Sequence, residues 1–294
     1  MNPTLLDLYC GAGGFSLGFK MAGYDILMGV DNDPDAISTY VQNIGNGLID
    51  DVRTFKYSGP KPDVIIGSPP CQSFSKANIK TRTQDLTLVD RFFEIVQEIK
   101  PKVWIMEEVN GTFFALKKRG STNFHIVRID AADYGVPSHR PRFFASNVSP
   151  ILPFETVNHV PAATVLDECD MDVQLRIQHW DWNKRLHSVN RPAPTVTTKA
   201  IQMLHVNAQR NPKNRRNFPL TEPSPVVTSK DPRALKPNGK TRLLTIQETA
   251  ALMSFPKDFK WPEGKTRSRR QIGNAVPPLL AYKMAETVKI HFGK

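Results

Sequence analysis

Cysteine is scarce: the 294-residue chain holds three, Cys10, Cys71 and Cys169. An odd number with no metal-ligand spacing excludes a disulfide framework and a zinc site, and favours free thiols in a reducing compartment. There is no apolar run of about 18 residues, so no membrane span is expected. The first residues have no basic segment ahead of an apolar core, so no signal peptide is expected. These absences predict a cytoplasmic protein with no membrane partner. Acidic residues are also thin in one region. Between Arg176 and Arg270 there are 20 Lys/Arg against 6 Asp/Glu, while the rest of the chain holds 19 and 22. The whole net charge of +11 therefore arises in that region. A basic stretch on a near-neutral body fits a polyanion partner, and equally a solvated basic surface.

The most informative stretch is Pro62-Asp63-Val64-Ile65-Ile66-Gly67-Ser68-Pro69-Pro70-Cys71-Gln72-Ser73-Phe74-Ser75. Val64 to Ile66 is apolar and β-branched, which predicts a short buried strand. Gly67 to Pro70 end it, since two prolines cannot continue a central strand. Cys71 follows a stiff turn at the carboxyl end of that strand, where open α/β sheets bind ligands. It reads either as an aimed nucleophile or as an inert buried thiol.

The amino-terminal part has the opening of a nucleotide-binding α/β unit. Leu5 to Tyr9 is a strand, Gly11-Ala12-Gly13-Gly14 a glycine turn, and Phe15, Leu17, Gly18, Phe19 and Met21 begin a helix. A second strand, Ile26 to Val30, ends in Asp31, placed to accept both hydroxyls of a ribose. Asp33 has a different reading: it caps a helix whose first residue is Pro34. Asp51 is a candidate for an adenine amino group or an ordinary loop carboxylate.

Ser73 to Thr87 is polar and reads as a loop able to close over substrate. Leu88, Phe92, Phe93, Ile95, Val96 and Ile99 form a helical core stripe ended at Lys100-Pro101. Val103 to Met106 is the next strand, with Glu107 and Glu108 at its end on opposite faces. Glu107 is a candidate to protonate or hydrogen-bond a substrate ring nitrogen. Phe124 to Ile129 reads as a strand. In Ser138-His139-Arg140-Pro141-Arg142, the two arginines share a face at strand spacing, either surface residues or an anion clamp. Residues 151 to about 240 are rich in proline, asparagine and basic residues, with two proline-bracketed pieces, 191–198 and 222–229. There His179, Trp180, Trp182 and His187 interleave with Arg176, Lys184 and Arg185, which suits bases and phosphates or a small core. Leu243 to Ser254 is an amphipathic helix with a capping box of Thr245 and Glu248. Gln271 to Pro278 reads as a Gly-bounded turn carrying Asn274 before a last helix.

In this order the pieces resemble the C5-cytosine DNA methyltransferase family. Asp7-Leu8-Tyr9-Cys10-Gly11-Ala12-Gly13-Gly14 is similar to its S-adenosylmethionine motif, and Ser68-Pro69-Pro70-Cys71-Gln72 to its nucleophile motif. Met106-Glu107-Glu108-Val109 stands where the family has Glu-Asn-Val. Ser138 to Arg142 stands where it has Gln-x-Arg-x-Arg, and Gln271 to Pro277 resembles the closing motif. Three departures are Glu108 for the family's Asn, Ser138 for its Gln, and a short segment between Val109 and Asp133.

The resemblance implies an α/β fold: a Rossmann-like S-adenosylmethionine-dependent catalytic domain, residues 1–150 plus 266–294, and a small, irregular, mostly β target-recognition domain, 151–265. It implies S-adenosylmethionine as methyl donor and no metal. Tyr9 would lie near the adenine, Asp31 on the ribose, and Asp51 with Val52 at the adenine edge. Asp7, Gly11, Gly13, Gly14, Phe15, Asn32, Pro69, Leu88, Asn274, Ala275 and Val276 would complete the donor site. It implies Cys71 as nucleophile, Glu107 at N3 of a flipped cytosine, and Arg140 with Arg142 holding the base and closed loop. The expected partner is double-stranded DNA, with a cognate restriction endonuclease acting separately and the chain itself a monomer. Two rivals stand beside this reading, a tRNA cytosine-5 methyltransferase and a catalytically inactive DNA-binding relative.

Overall fold

The computed structural model describes residues 1–70, 86–108, 124–166, 175–176, 233–235 and 241–293. Cys71, Cys169, the loop residues 73–85, the segment 109–123, the proline-bracketed pieces and the aromatic cluster 179–187 lie outside the described residues. The chain separates into two compact units. One comprises Met1–Ile129, Arg142–Glu155 and Ala275–Lys294, the other Asp130–Pro141 and Thr156–Asn274.

The first unit carries β1 (Thr4–Leu8), α1 (Gly14–Met21), β2 (Asp25–Asp31), α2 (Pro34–Asn43), β3 (Gly47–Ile49) and β4 (Val64–Gly67). α3 (Thr87–Ile99) and β5 (Val103–Glu108) follow, and then β6 (His125–Asp130) and β7 (Pro141–Ser146). Among the described residues these seven strands form one sheet, ordered β3-β2-β1-β4-β5-β7-β6. The pairs β2–β3, β1–β2, β1–β4 and β4–β5 are parallel, and β5–β7 is antiparallel. Parallel strands need covered faces, which explains the apolar run of β4 and the burial of Leu5, Leu6, Asp7 and Leu8 in β1. One face buries Leu6, Leu8, Ile65, Trp104 and Met106 against Val89, Phe92, Ile95 and Val96 of α3. Phe92, Ile95 and Val96 belong to the stripe anticipated at helical spacing and Phe93 and Ile99 pack beside them, but Val89 is buried where Leu88 was expected. α3 ends where Lys100 turns left-handed at φ 53° ahead of Pro101.

The other face is built on close contact between α1 and a carboxyl-terminal helix, α6 (Pro278–Val288). A Cβ on Gly18 would fall 2.4 Å from Ala281 Cβ and 2.5 Å from the Pro278 carbonyl, so only glycine lets the backbones approach. Tyr24 donates from its hydroxyl to the Ala285 carbonyl at 3.0 Å and closes the same contact.

In the second unit, β8 (Leu175–Arg176), β9 (Arg233–Leu235) and β10 (Thr241–Leu243) form an antiparallel sheet among the described residues. α4 (Ile246–Leu252) begins with the anticipated capping box: Thr245 Oγ1 accepts from Glu248 N at 3.0 Å, and Glu248 Oε2 accepts from Thr245 N at 2.8 Å. The turn expected around Asn274 is instead the last turn of a helix, α5 (Lys265–Asn274). Ile272 is its one large apolar buried side chain beside Ser268, Arg269 and Gln271, which is why apolar spacing does not reveal it. Arg269 donates to the Leu244 carbonyl at 3.3 Å and Ser268 to the Pro262 carbonyl at 2.9 Å.

Candidate active site

The sheet order reverses between β1 and β4, and open α/β sheets bind ligands outside the carboxyl ends of strands at such a point. β1 ends at Leu8 and the chain turns sharply. Tyr9 at φ 58°, Gly11 at 53° and Gly13 at 91° are all left-handed, a conformation costly for Tyr9 and free for the glycines. The turn is tied to the end of β2, because Asp31 Oδ2 accepts from Gly11 N at 2.9 Å. Asp31 Oδ1 accepts from Asp33 N at 2.9 Å. Burial pushes the Asp31 carboxyl upward against those hydrogen bonds. Asp33 has the structural role expected of it, accepting from Asp35 N and Ala36 N at the start of α2. Asn32 between them is exposed.

Beneath the turn lies a buried polar chain that spacing did not reveal. Ser16 Oγ donates to Asp7 Oδ2 at 2.6 Å and lies 2.8 Å from the Tyr40 hydroxyl. Asp7 is 1% exposed, and burial, reinforced by the nearby Asp31 charge, raises its pKa to about 8 against the pull of the Ser16 hydrogen bond. Tyr40 fits because Gly13 and Gly29 face it. A Cβ on either would fall within 2.8 Å of its ring. Phe15 is also buried, edge-on to Phe19 and Phe144 at ring separations of 5.8 and 6.3 Å. Gly14 is buried as the first residue of α1. Cys10 is a free, buried thiol whose pKa burial drives well up, which makes it unreactive.

Past β3, the Asp51 carboxylate accepts from Arg53 Nε at 3.0 and 2.9 Å, and these bonds hold it below the usual carboxylate range. Val52 is buried in the same cluster as Leu86 and Val89 of the α3 region. The Tyr9 hydroxyl donates to the Leu88 backbone carbonyl at 2.8 Å, and the Tyr9 ring packs against the cluster that holds Val52.

β4 runs beside β1 with Gly67 opposite Leu8, and Ser68 N donates to the Leu8 carbonyl at 3.3 Å. Pro69 is buried and Pro70 exposed. The chain thus leaves β4 at Gly67 beside the glycine turn, and its described part ends at Pro70, one residue before Cys71. On the other side of β4, β5 ends in Glu107 and Glu108. By strand alternation Glu108 shares the α3 face with Met106, and Glu107 the opposite face. Glu107 pairs in register with Phe144, and Arg142, two residues earlier on β7, brings Nε to 2.8 Å from Glu107 Oε1.

Strand spacing placed Arg140 and Arg142 on one face. The structure corrects that, because β7 begins at Pro141 and Arg140 lies ahead of it. Arg140 is 2% exposed and donates from its guanidinium to the Gly273 carbonyl at 3.1 Å. Its backbone N–H donates to Asp130 Oδ1 at 2.7 Å, while Asp130 Oδ2 lies 2.9 Å from His139 Nδ1. Ser138 is fully buried, with Oγ 3.7 Å from Met253 Sδ. Asn274 is exposed at the end of α5, Ala275 half-buried and Val276 buried. Among the described residues, no three His, Cys, Asp or Glu side chains converge as a metal site, and no helix is long and apolar enough to cross a membrane.

A sheet of this order, with a glycine turn and an acidic strand end at its switch point, defines the S-adenosylmethionine-dependent methyltransferase fold. The chain belongs to the C-5 cytosine-specific DNA methylase family, whose model matches residues 4–290. It is accordingly a DNA (cytosine-5-)-methyltransferase acting on DNA, a family that uses S-adenosylmethionine as methyl donor. Similar proteins include the type II methyltransferase M1.HphI of Haemophilus parahaemolyticus, 31% identical over 98% of this chain and 87% of its own. The type II methyltransferase M.HindV of Haemophilus influenzae is 31% identical over 98% and 97%. Among solved structures, a prophage-encoded protein from E. coli described as a DNA modification methyltransferase shares the fold with a TM-score of 0.70, at 22% identity and full coverage of both chains. The DNMT2 of Spodoptera frugiperda shares it at 0.62, with 19% identity, over 99% of this chain and all of its own.

Proposed function

We propose that this enzyme methylates C5 of a cytosine flipped out of a specific duplex sequence, with Cys71 as nucleophile, as the modifying half of a restriction–modification pair. The observation that carries the reading is the β1–β4 pairing. Leu8 and Gly67 are register partners, so the glycine turn and the turn leading to Cys71 leave the sheet side by side. The donor's chemistry fits the residues there. Asp31 offers a carboxylate at a strand end for ribose hydroxyls, and Tyr9, Val52 and Leu88 offer an apolar wall for adenine. Asn32, Asp51, Pro69, Asn274, Ala275 and Val276 come to the donor site by the family resemblance, as does Arg140 to the base and the closed loop. Asp7, Gly11, Gly13, Gly14 and Phe15 come to the donor site by the same resemblance, with Asp7 bonded to Ser16 at the start of α1. Bound S-adenosylmethionine supplies an electrophilic methyl group.

The Cys71 thiolate adds to C6 and the ring electrons move toward N3. Glu107 hydrogen-bonds or protonates N3 and stabilises that charge. C5 then becomes the nucleophile that takes the methyl group. The C5 proton passes to solvent water, the C6–S bond breaks to release the thiolate, and any proton given to N3 returns to Glu107, which restores the ring. Arg142 holds Glu107 through the ion pair and reaches the cytosine carbonyl. The catalytic domain is 1–150 plus 266–294, and the basic region 151–265 reads the target. The chain works as a monomer in the cytoplasm, and the cognate endonuclease acts separately.

DNA carrying 5-fluorocytosine tests this reading, since fluorine at C5 blocks the final elimination. The wild type should form a covalent adduct stable to denaturant, and a Cys71→Ala variant should not. An adduct that survives Cys71→Ala, or none from the wild type beside measurable methylation, overturns it. The absence of both adduct and methylation would mark an inactive relative.

A further inference from the structure

Arg91 lies on α3, outside every motif discussed above, and its side chain is only 14% exposed. Nε donates to the Val52 carbonyl at 3.3 Å and an Nη to the Phe55 carbonyl at 2.9 Å. The remaining edge is held at 2.9 Å by both Glu94 and Glu98, two exposed carboxylates one and two turns further along α3. A planar, five-donor fork can engage two carbonyls and two carboxylates at once, and an ammonium cannot. The turn it grips begins at Asp51, whose carbonyl accepts from Thr54 N at 2.9 Å and Phe55 N at 3.0 Å. One helical turn earlier, α3 accepts the Tyr9 hydroxyl on the Leu88 carbonyl. A single helix therefore fastens both the turn after β1 and the turn after β3.

We infer that Arg91 is a positioning residue for the methyl donor: it fixes Val52 and Asp51 against α3 so that the adenine wall formed with Tyr9 and Leu88 is in place before the donor arrives. This rests on the donor-site reading above and adds to it a residue that touches no substrate. The bonds are charge-assisted and partly buried, and an ordered wall lowers the cost of ordering it on binding. Losing them weakens donor affinity by about tenfold.

The test has two arms. Calorimetric binding of S-adenosylhomocysteine should weaken about tenfold in Arg91→Met and by a smaller factor in Arg91→Lys. In kinetics the KM for S-adenosylmethionine should rise, while kcat and the KM for DNA stay within about twofold. Hydrogen exchange of the ligand-free protein should quicken at Thr54 and Phe55 while the amides of β1 and β4 keep their protection. A paired Glu94→Gln, Glu98→Gln variant changes only exposed carboxylates and should move donor affinity the same way by less. Unchanged affinity in Arg91→Met with the wild type binding normally overturns the inference alone. So does an equal loss of kcat and DNA affinity, which marks a general structural role. Failure of the wild type to bind S-adenosylhomocysteine would instead overturn the donor-site reading.

Discussion

Arg142 reaches diagonally across the β5–β7 pair to place Nε 2.8 Å from Glu107 Oε1, with both side chains nearly buried. The register makes this contact: Glu107 stands opposite Phe144, and side chains two residues apart on a strand share a face. Removing either partner leaves the other desolvated and without its counter-charge. Arg142→Ala is expected to cost about 3 kcal/mol of stability and at least a hundredfold in kcat. Glu107→Gln, which keeps the shape, should lose the rate with a smaller loss of stability. Urea unfolding and single-turnover methylation separate the two effects. Stability losses in the double variant should be less than additive, because the groups share one interaction.

Asp7 makes stability depend on pH in an unusual direction. Its carboxyl has a folded pKa of about 8, above the ordinary carboxylate value. Between those values the folded state keeps a proton that the unfolded chain has released. Its contribution to stability is therefore complete below about pH 4 and is lost as pH rises through about 8. Asp7→Asn keeps a neutral group beside Ser16. The stability of this variant relative to wild type should improve from about pH 4 to about pH 8 by thermal unfolding and level off above that. A difference independent of pH would refute the assignment.

Asp130 behaves in the opposite sense. Burial pushes its carboxyl up, but hydrogen bonds from His139, Arg140 N and Ala132 N overcome this and hold it low. A depressed carboxyl stabilises the fold above the unfolded value near 4, and that stabilisation is lost as pH falls below it. Asp130→Asn should destabilise the protein at pH 7, and the gap from wild type should close toward pH 3. Arg140 depends on Asp130 for its backbone position, so methylation at pH 7 should fall as well.

Gly18→Ala tests the packing of α1 on α6. Its new Cβ would meet backbone at 2.5 Å, and backbone cannot step aside as a flexible side chain can. The expected loss is about 2 kcal/mol or more, despite alanine's better helix propensity. Gly23→Ala is a useful contrast, since nothing lies within 4 Å of its Cβ and only its φ of 84° opposes the change.

The sequence determined local structure wherever its signals are short-range. Pro34 after Asp33 makes a capped helix, Pro69-Pro70 ends a strand, Thr245 with Glu248 makes a capping box, and the stripe from Phe92 to Ile99 makes a helix face packed on the core. The likeness to five motifs in order rests on the same local residues. Tertiary structure alone decided what depends on distant partners. Helix α5 is held by Arg269 and Ser268 to carbonyls outside it, so its buried side is mostly polar and invisible to apolar periodicity. Arg140 and Arg142 look equivalent along the chain but have different partners, because β7 begins between them. Asp7 and Arg91 gain their roles from residues 9 to 39 positions away, which the folding of parallel strands and their crossover helices brings within hydrogen-bond reach.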